Sequence, residues 1–262
     1  MSGPNYEPGP IHCKGAVFDD FRLTDHLPPS AAPGVIERDR LHMAARPGFN
    51  RKLLPLRIEP ESGTVYSGGR YLLDTYEQAV AFCDWVANEF ELDGVLILNR
   101  PDFVDVSAHV WHVLGAHDFK PLRSAQHVYR TEIWKLTGAG AGDRLAQLWP
   151  GLRDEAADAG RSALWFLYND EKAEVSLVTI AERPAVYAAP TPDFLALRTL
   201  ESARSQGAEW EREGWARKTF DRTHWVFTIW FPNTGRPDSA PALWPNSPPL
   251  PAPGDVAERS AA

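Results

Sequence analysis

Apolar and polar positions alternate along several short stretches of this chain and recur at helical spacing along others. Together the two periods predict a mixed α+β protein. The second half of the chain is the plainer. His127–Leu136 (HVYRTEIWKL) is β-branched and aromatic and reads as a strand. Glycines between 138 and 142 make a turn. Asp143–Ala159 carries Leu145, Leu148, Trp149, Leu152 and Ala156 at helical spacing, with Pro150 expected to kink it. Ser162–Tyr168 (SALWFLY) and Ala173–Ala181 (AEVSLVTIA) are strands on either side of an Asn169-Asp170 turn. Thr191-Pro192-Asp193 starts a helix that runs to about Gln206, with the hydroxyl as cap and proline in the first turn. His224–Phe231 (HWVFTIWF) closes the block, giving the order β-α-β-β-α-β of a ferredoxin-like unit.

The preceding block is looser. Leu53–Glu59 and Thr64–Asp74 read as strands joined at Ser62-Gly63, and Thr75-x-x-Gln78 is a capping box opening a helix. That helix places Tyr76, Ala79, Val80, Cys83, Val86, Ala87 and Phe90 on one face. Gly94–Asn99 and Ser107–Ala116 are two further expected strands. The expected fold class is therefore α+β: two tandem ferredoxin-like (α+β barrel) halves whose antiparallel sheets face each other, followed by a Pro-rich C-terminal tail. The expected divisions are an N-terminal arm over 1–50, with a short strand at Ala16–Leu23, a first half over 51–125, a second half over 126–232 and the tail over 233–262.

Composition narrows the function. The chain has 262 residues and a formal charge of −8, with its Lys and Arg scattered, which argues against nucleic acid or an anionic membrane as partner. No apolar run approaches the roughly 18 residues of a membrane span. The N-terminal MSGPNYEPGP lacks the basic flank and apolar stretch of a secretion signal. Cys13 and Cys83 form no CxxC pair, so a reducing, cytoplasmic location is expected. The ten Trp, twelve Phe and seven Tyr exceed what one core needs, and some of them are expected to line a cavity for an aromatic small molecule.

Removing a phenolic proton in such a cavity needs a base with a pKa near neutrality. On the strand 107–116, His109, Trp111 and Val113 share one face and His112 the other. His109 is the first candidate because it stands beside Trp111, and His112 is the second; a histidine bonded to backbone is the plainer reading of each. On 127–136, Tyr129 shares a face with His127, Thr131 and Ile133, and Arg130 shares the other with Glu132 and Trp134. Arg130 is a candidate to stabilise an enolate or peroxide oxygen, against the simpler reading of an ion pair with Glu132 or another carboxylate. Trp165 and Tyr168, and Trp225 and Trp230, likewise lie on opposite faces of their strands. The period cannot say which face is inside. His109-x-x-His112 is not a metal site, because the two rings point apart on a strand. The glycines at 138, 140 and 142 miss the dinucleotide-loop spacing.

The segment Tyr66-Ser67-Gly68-Gly69-Arg70-Tyr71-Leu72-Leu73-Asp74-Thr75-Tyr76-Glu77-Gln78-Ala79 resembles small monooxygenases of the dimeric α+β barrel superfamily, in which such a strand runs straight into a helix. The duplicated layout is similar to the angucycline B-ring-opening oxygenases of jadomycin, gilvocarcin and kinamycin biosynthesis. The resemblance implies oxidation of a polycyclic aromatic polyketide by O₂. Ring opening would be Baeyer–Villiger-like, with reduced FAD or FMN from a separate NAD(P)H flavin reductase as co-substrate, or with no cofactor and no metal. It also implies that Tyr66, Arg70 and Tyr71 belong to the pocket or its floor, with Trp111, Tyr129, Trp134, Trp165, Tyr168, Trp225 and Trp230 as further substrate-binding candidates. A non-redox polyketide cyclase or dehydratase and a ligand-binding accessory protein are the alternatives. A homodimer is expected if sheet edges need covering, a monomer if the internal duplication covers them.

Overall fold

The structure, a computed structural model, describes residues 8–24, 42–43, 45–59, 61–123, 126–137, 141–183, 205 and 207–231. Eight strands carry it: β1 (Gly15–Leu23), β2 (Phe49–Ile58), β3 (Val65–Leu73), β4 (Phe103–Asp118), β5 (His127–Leu136), β6 (Ala163–Asn169), β7 (Glu174–Glu182) and β8 (Ala216–Trp230). Among the described residues three helices lie between them: α1 (Tyr76–Asn88), α2 (Ala141–Asp158) and α3 (Ala208–Arg212). The strands close into one antiparallel barrel in the order β1-β3-β2-β8-β5-β7-β6-β4. The fold is thus mixed α+β. The helix expected over 191–206, most of the turn at 138–142 and the Pro-rich tail lie outside the described residues.

Three expectations are corrected. The sheets do not face each other as separate layers. β2 pairs with β8 and β6 with β4, so the ends of the two sets are joined by ladder hydrogen bonds into a single wall. The strand at 16–23 is no part of an arm, because β1 is hydrogen-bonded on both sides, to β3 and to β4. The strand expected at 94–99 is a two-residue ladder, Glu91–Leu92 with Val95–Leu96, followed by a 3₁₀ turn whose Ile97 is buried. The closed ring also leaves no barrel edge exposed, which removes the reason given above for a homodimer. Among the described residues no helix is long and apolar enough to cross a membrane.

The apolar residues separate into an interior and two outer layers. One cluster takes residues from all eight strands, among them Ala16, Leu53, Leu72, Trp165, Val178 and Ile229, and only the inside of the barrel can collect these. The outer layers lie under the helices. Thr75 caps α1 by accepting from the Gln78 N–H at 3.2 Å while the Gln78 side chain accepts from the Thr75 N–H at 3.1 Å. The helix then buries Ala79, Phe82 and Val86 against Val17, Tyr71 and Leu73. At Gly15 a Cβ would stand 2.4 Å from the Thr75 carbonyl oxygen, so the glycine lets the start of α1 rest directly on β1. α2 and α3 cover the opposite wall with Leu145, Leu152, Ala156 and Trp210 over Leu164, Phe166, Val175 and Leu177. Helices outside and a filled interior at one end leave the other end of the barrel to hold a site.

Candidate functional site

The inward face changes character along the strands. Towards the ends of β1 and β5, and the beginnings of β3, β4 and β8, it becomes polar and surrounds a cavity of about 330 Å³. Phe18, Phe21, Trp111, Ile133 and Phe220 are its apolar walls, and Arg22, Arg70 and Arg222 its cations. Asp20 and Asp105 are its carboxylates, and His109 and His224 its imidazoles. Tyr66, Ser67, Ser107 and Thr131 complete the lining. The volume lies at the lower end of the ~300–1,000 Å³ typical of small-molecule sites.

Arg70 is the central group. It is 1% exposed and points inward from β3, where it pairs with Phe18 of β1. Gly69 leaves room outside the barrel for the Tyr71 ring, whose Oη would be 2.2 Å from a Cβ there. The Arg70 guanidinium donates to the Asp19 carbonyl at 2.7 Å, the Gly69 carbonyl at 3.0 Å and Asp20 Oδ1 at 2.6 Å. It lies over the Phe18 ring at 4.6 Å. Its Nε is buried with no hydrogen-bond partner among the described residues. Burial opposes the charge, but Asp20 with the neighbouring Tyr129 and Asp19 more than offsets it, so the guanidinium is held protonated.

Two neutral imidazoles accompany it. His224 on β8 pairs with Tyr129 across the ladder and stacks on its ring at 5.1 Å. Burial, then Arg70, Arg57 and Arg222, push the His224 pKa well below the ordinary imidazole value, and its Nδ1 has no partner among the described residues. His109 on β4 is half-buried; burial first and Lys172 second lower its pKa. Trp111 Nε1 and Thr131 Oγ1 line the same space, also without a partner among the described residues. Burial pushes the phenol of Tyr129, next to Arg70, upward, so it remains a neutral hydroxyl. The cavity therefore offers aromatic rings on its wall, a buried guanidinium, and hydrogen-bonding groups without partners among the described residues.

Of the residues singled out from sequence, Tyr66, Arg70, His109 and Trp111 line this cavity. Tyr129 and Trp165 face the interior, and Trp165 sits in its packed part. The others lie on the outer face. His112 stacks at 3.7 Å on Tyr76 of α1, 3.8 Å from Asp170. Arg130 forms a bidentate pair with Asp221 at 2.7 and 2.6 Å and lies 3.3 Å from Glu132, so the ion-pair reading of Arg130 holds. Tyr71 and Trp230 pack in the layer under α1. Trp134 and Tyr168 pack in the layer under α2 and α3. Trp225 lies opposite His224 on its strand, with the Arg183 guanidinium 5.6 Å from its ring centroid. The reason is the pleat: each of these residues is one position out of phase with an inward neighbour. Sequence reasoning missed Phe18, Asp20 and Arg22, because their strand was placed in an arm, and also Phe220, Arg222 and His224. A strand that alternates Phe18 and Asp20 against Val17 and Asp19 held the signal. Among the described residues no group of three or more His, Cys, Asp or Glu is placed to hold a metal.

No protein-family model matches the chain, and no curated protein matches it in sequence. Solved structures do match in fold. A candidate monooxygenase from Fusobacterium nucleatum subsp. nucleatum superposes with a TM-score of 0.54 at 10% identity, over 84% of this chain and 95% of that one. A candidate monooxygenase from Lactobacillus acidophilus gives 0.51 at 9% identity, over 88% of this chain and 100% of that one. At such identities the likeness is one of fold.

Proposed function

We propose that this chain is an oxygenase that binds a phenolic or quinonoid aromatic in the open end of its barrel as the oxyanion. The observation that carries this reading is Arg70: a buried guanidinium with its Nε unshared among the described residues, in a cavity it shares with the rings of Phe18, Trp111 and Phe220. A buried cation of this kind favours the ionised form of a phenol or enol, while burial first and nearby cations second disfavour protonation of His109 and His224. An electron-rich aromatic oxyanion reacts with O₂ at the ring carbon that carries its charge. The fold shared with two candidate monooxygenases supports the reaction class.

The finer reading is oxidation or ring opening of an angucycline-like polycyclic in antibiotic biosynthesis, by a chain of two tandem ferredoxin-like halves. The recurrence of one relative strand order supports the tandem halves: β4-β1-β3-β2 in the first four strands and β8-β5-β7-β6 in the last four. Without a cofactor the balance is R₂CH₂ + O₂ → R₂C=O + H₂O. Baeyer–Villiger-like ring opening inserts one oxygen atom into a C–C bond. The other leaves as water with two electrons and two protons that a reduced flavin, renewed by a separate reductase, would supply. Arg222 fits a flavin phosphate or ring oxygen, since it lines the cavity with its guanidinium beside the rings of Tyr66 and Phe220 at 5.0 and 5.5 Å.

Oxygen uptake with an anthrone and with an angular hydroxyquinone, each with and without FAD, FMN and an NADH-driven flavin reductase, tests this. Uptake coupled to product formation supports the oxygenase, and its dependence on the reductase decides the cofactor. Turnover without O₂ points to a cyclase or dehydratase, and tight binding without turnover to an accessory protein.

A further inference from the structure

The cavity lining changes from its floor to its mouth. Arg70 and Trp111 are 1% exposed at the floor, whereas Tyr66, Phe220 and Arg222 are half-buried at the mouth. Tyr66 precedes Arg70 by four residues on β3, a separation of about 13 Å along an extended strand. On β8, Arg222 pairs with Thr131, one inward position nearer the mouth than the pair of His224 with Tyr129. The Tyr129 ring is the one beside the Arg70 guanidinium, at 5.8 Å. Arg70 and Arg222 therefore stand at different depths of the same cavity.

The lining holds three guanidinium groups and two carboxylates. Asp20 is held by Arg70 at 2.6 Å, and Asp105 by Arg22 at 2.9 Å. Nearby Arg57 is held by Glu59 at 2.7 Å and donates to the Thr223 carbonyl at 2.9 Å. Arg222 stands against rings instead, its guanidinium carbon 5.0 Å from the centre of Tyr66 and 5.5 Å from that of Phe220. The lining thus carries one positive charge more than its own carboxylates balance. Aromatic rings attract a guanidinium through its charge and leave its N–H donors for other acceptors. Five such donors in a planar fork match the oxygens of a carboxylate or a phosphate.

We propose that Arg222 is a specificity-determining residue, and that the ligand of this cavity carries an anionic group, a carboxylate or a phosphate, at the mouth end of its aromatic ring system. The inference rests on reading the cavity as an aromatic site and narrows that reading. Arg70 takes a ring oxygen at the floor, Arg222 takes the anionic group at the mouth, and an uncharged polycycle of the same shape binds less well. A carboxylate would belong to the aromatic substrate, a phosphate to a flavin.

Calorimetric titration of the full chain with two pairs of probes tests this. One pair is 4,5-dihydroxyanthraquinone-2-carboxylate and its 2-carboxamide; the other is FMN and riboflavin. The wild type is expected to bind the charged member of one pair about tenfold more tightly than the uncharged member, the worth of one half-exposed charge-assisted contact. The pair that shows the preference identifies the source of the anion. Added salt is expected to shrink the preference, and Arg222→Met to abolish it while the uncharged member keeps its affinity. Arg222→Lys is expected to retain part of it, because the charge stays and the fork is lost. Arg222→Gln answers the same question should the Met variant not fold. Equal affinities within both pairs, or a preference that survives the loss of Arg222, overturns the proposal. If the carboxamide and riboflavin do not bind at all, the aromatic-site reading has failed and this one with it. If they bind and the charge adds nothing, this one alone has failed.

Discussion

The two ends of the barrel are built from the same eight strands and the same alternation, yet one is packed and the other is open. At the packed end the inward positions are Ala163, Trp165, Leu167, Val178, Ile180 and Ile229, which fill the space between the walls. At the open end the inward positions of neighbouring strands are Asp20, Arg70, Ser107, His109, Thr131 and His224. Buried polar groups cost stability unless they are paired, and several of these have an atom with no partner among the described residues. The packed end supplies the stability that the open end lacks, and the open end keeps polar groups for a ligand. Stability and function are divided along the strand axis.

The comparison can be broken first at the packed end. Trp165→Ala is expected to lose about 3–5 kcal/mol by chemical denaturation, the cost of emptying an indole-sized space in a core. At the open end Arg70→Met is expected to do the opposite. Its stability cost is about 1–2 kcal/mol, because Asp20 is partly exposed and can hydrate when its partner is removed, but turnover falls about 100-fold, as when a donor to a developing oxyanion is lost. A loss of stability as large as that of Trp165→Ala, with binding retained, would make Arg70 a structural residue. The outer face provides a control. Arg130→Met breaks the pair with Asp221 and is expected to cost about 2 kcal/mol with turnover unchanged, since Glu132 keeps Lys218 at 2.8 Å.

The pH dependence sharpens the contrast. His224 is held well below the ordinary imidazole value in the folded chain and returns to about 6.5 when unfolded. Below that pH the unfolded chain takes up a proton that the folded chain refuses. Stability is therefore level above about pH 6.5 and falls as the pH drops below it, by at most about 1.4 kcal/mol per pH unit for this ring. His224→Gln is expected to flatten that slope in denaturation curves between pH 7 and pH 5. The smallest effect is at the turn between β6 and β7: Ala173→Gly relieves a left-handed φ and is expected to add about 0.5–1 kcal/mol.

Much of the wall was legible in the sequence, and less of the site. His127–Leu136 is a strand with the predicted bounds, and the capping box at Thr75 and Gln78 is made as its spacing requires. Period two sorted each strand into its faces. It could not say which face was inside, because aromatic residues occupy both: Tyr129 lies within and Trp134 without. Nor could it foresee the bulges. The register of β8 on β2 shifts between Val226 and Thr228, so Val226 and Ile229 both face the interior, although strict alternation would separate them. β4 does the same around Gly115, where Val113 and Ala116 both point inward. Lys172 carried no signal at all. Its approach to His109 depends on a hairpin turn folding back on a strand more than sixty residues earlier in the chain.

The most direct test is a crystal structure of the chain with a polycyclic hydroxyquinone, soaked at a pH where the ligand is ionised. The account predicts the ring system inside the cavity lined by Phe18, Trp111 and Phe220, with an oxygen atom within hydrogen-bond distance of Arg70 Nε. A ligand bound elsewhere on the barrel, or one whose oxygen atoms turn away from Arg70, would contradict it.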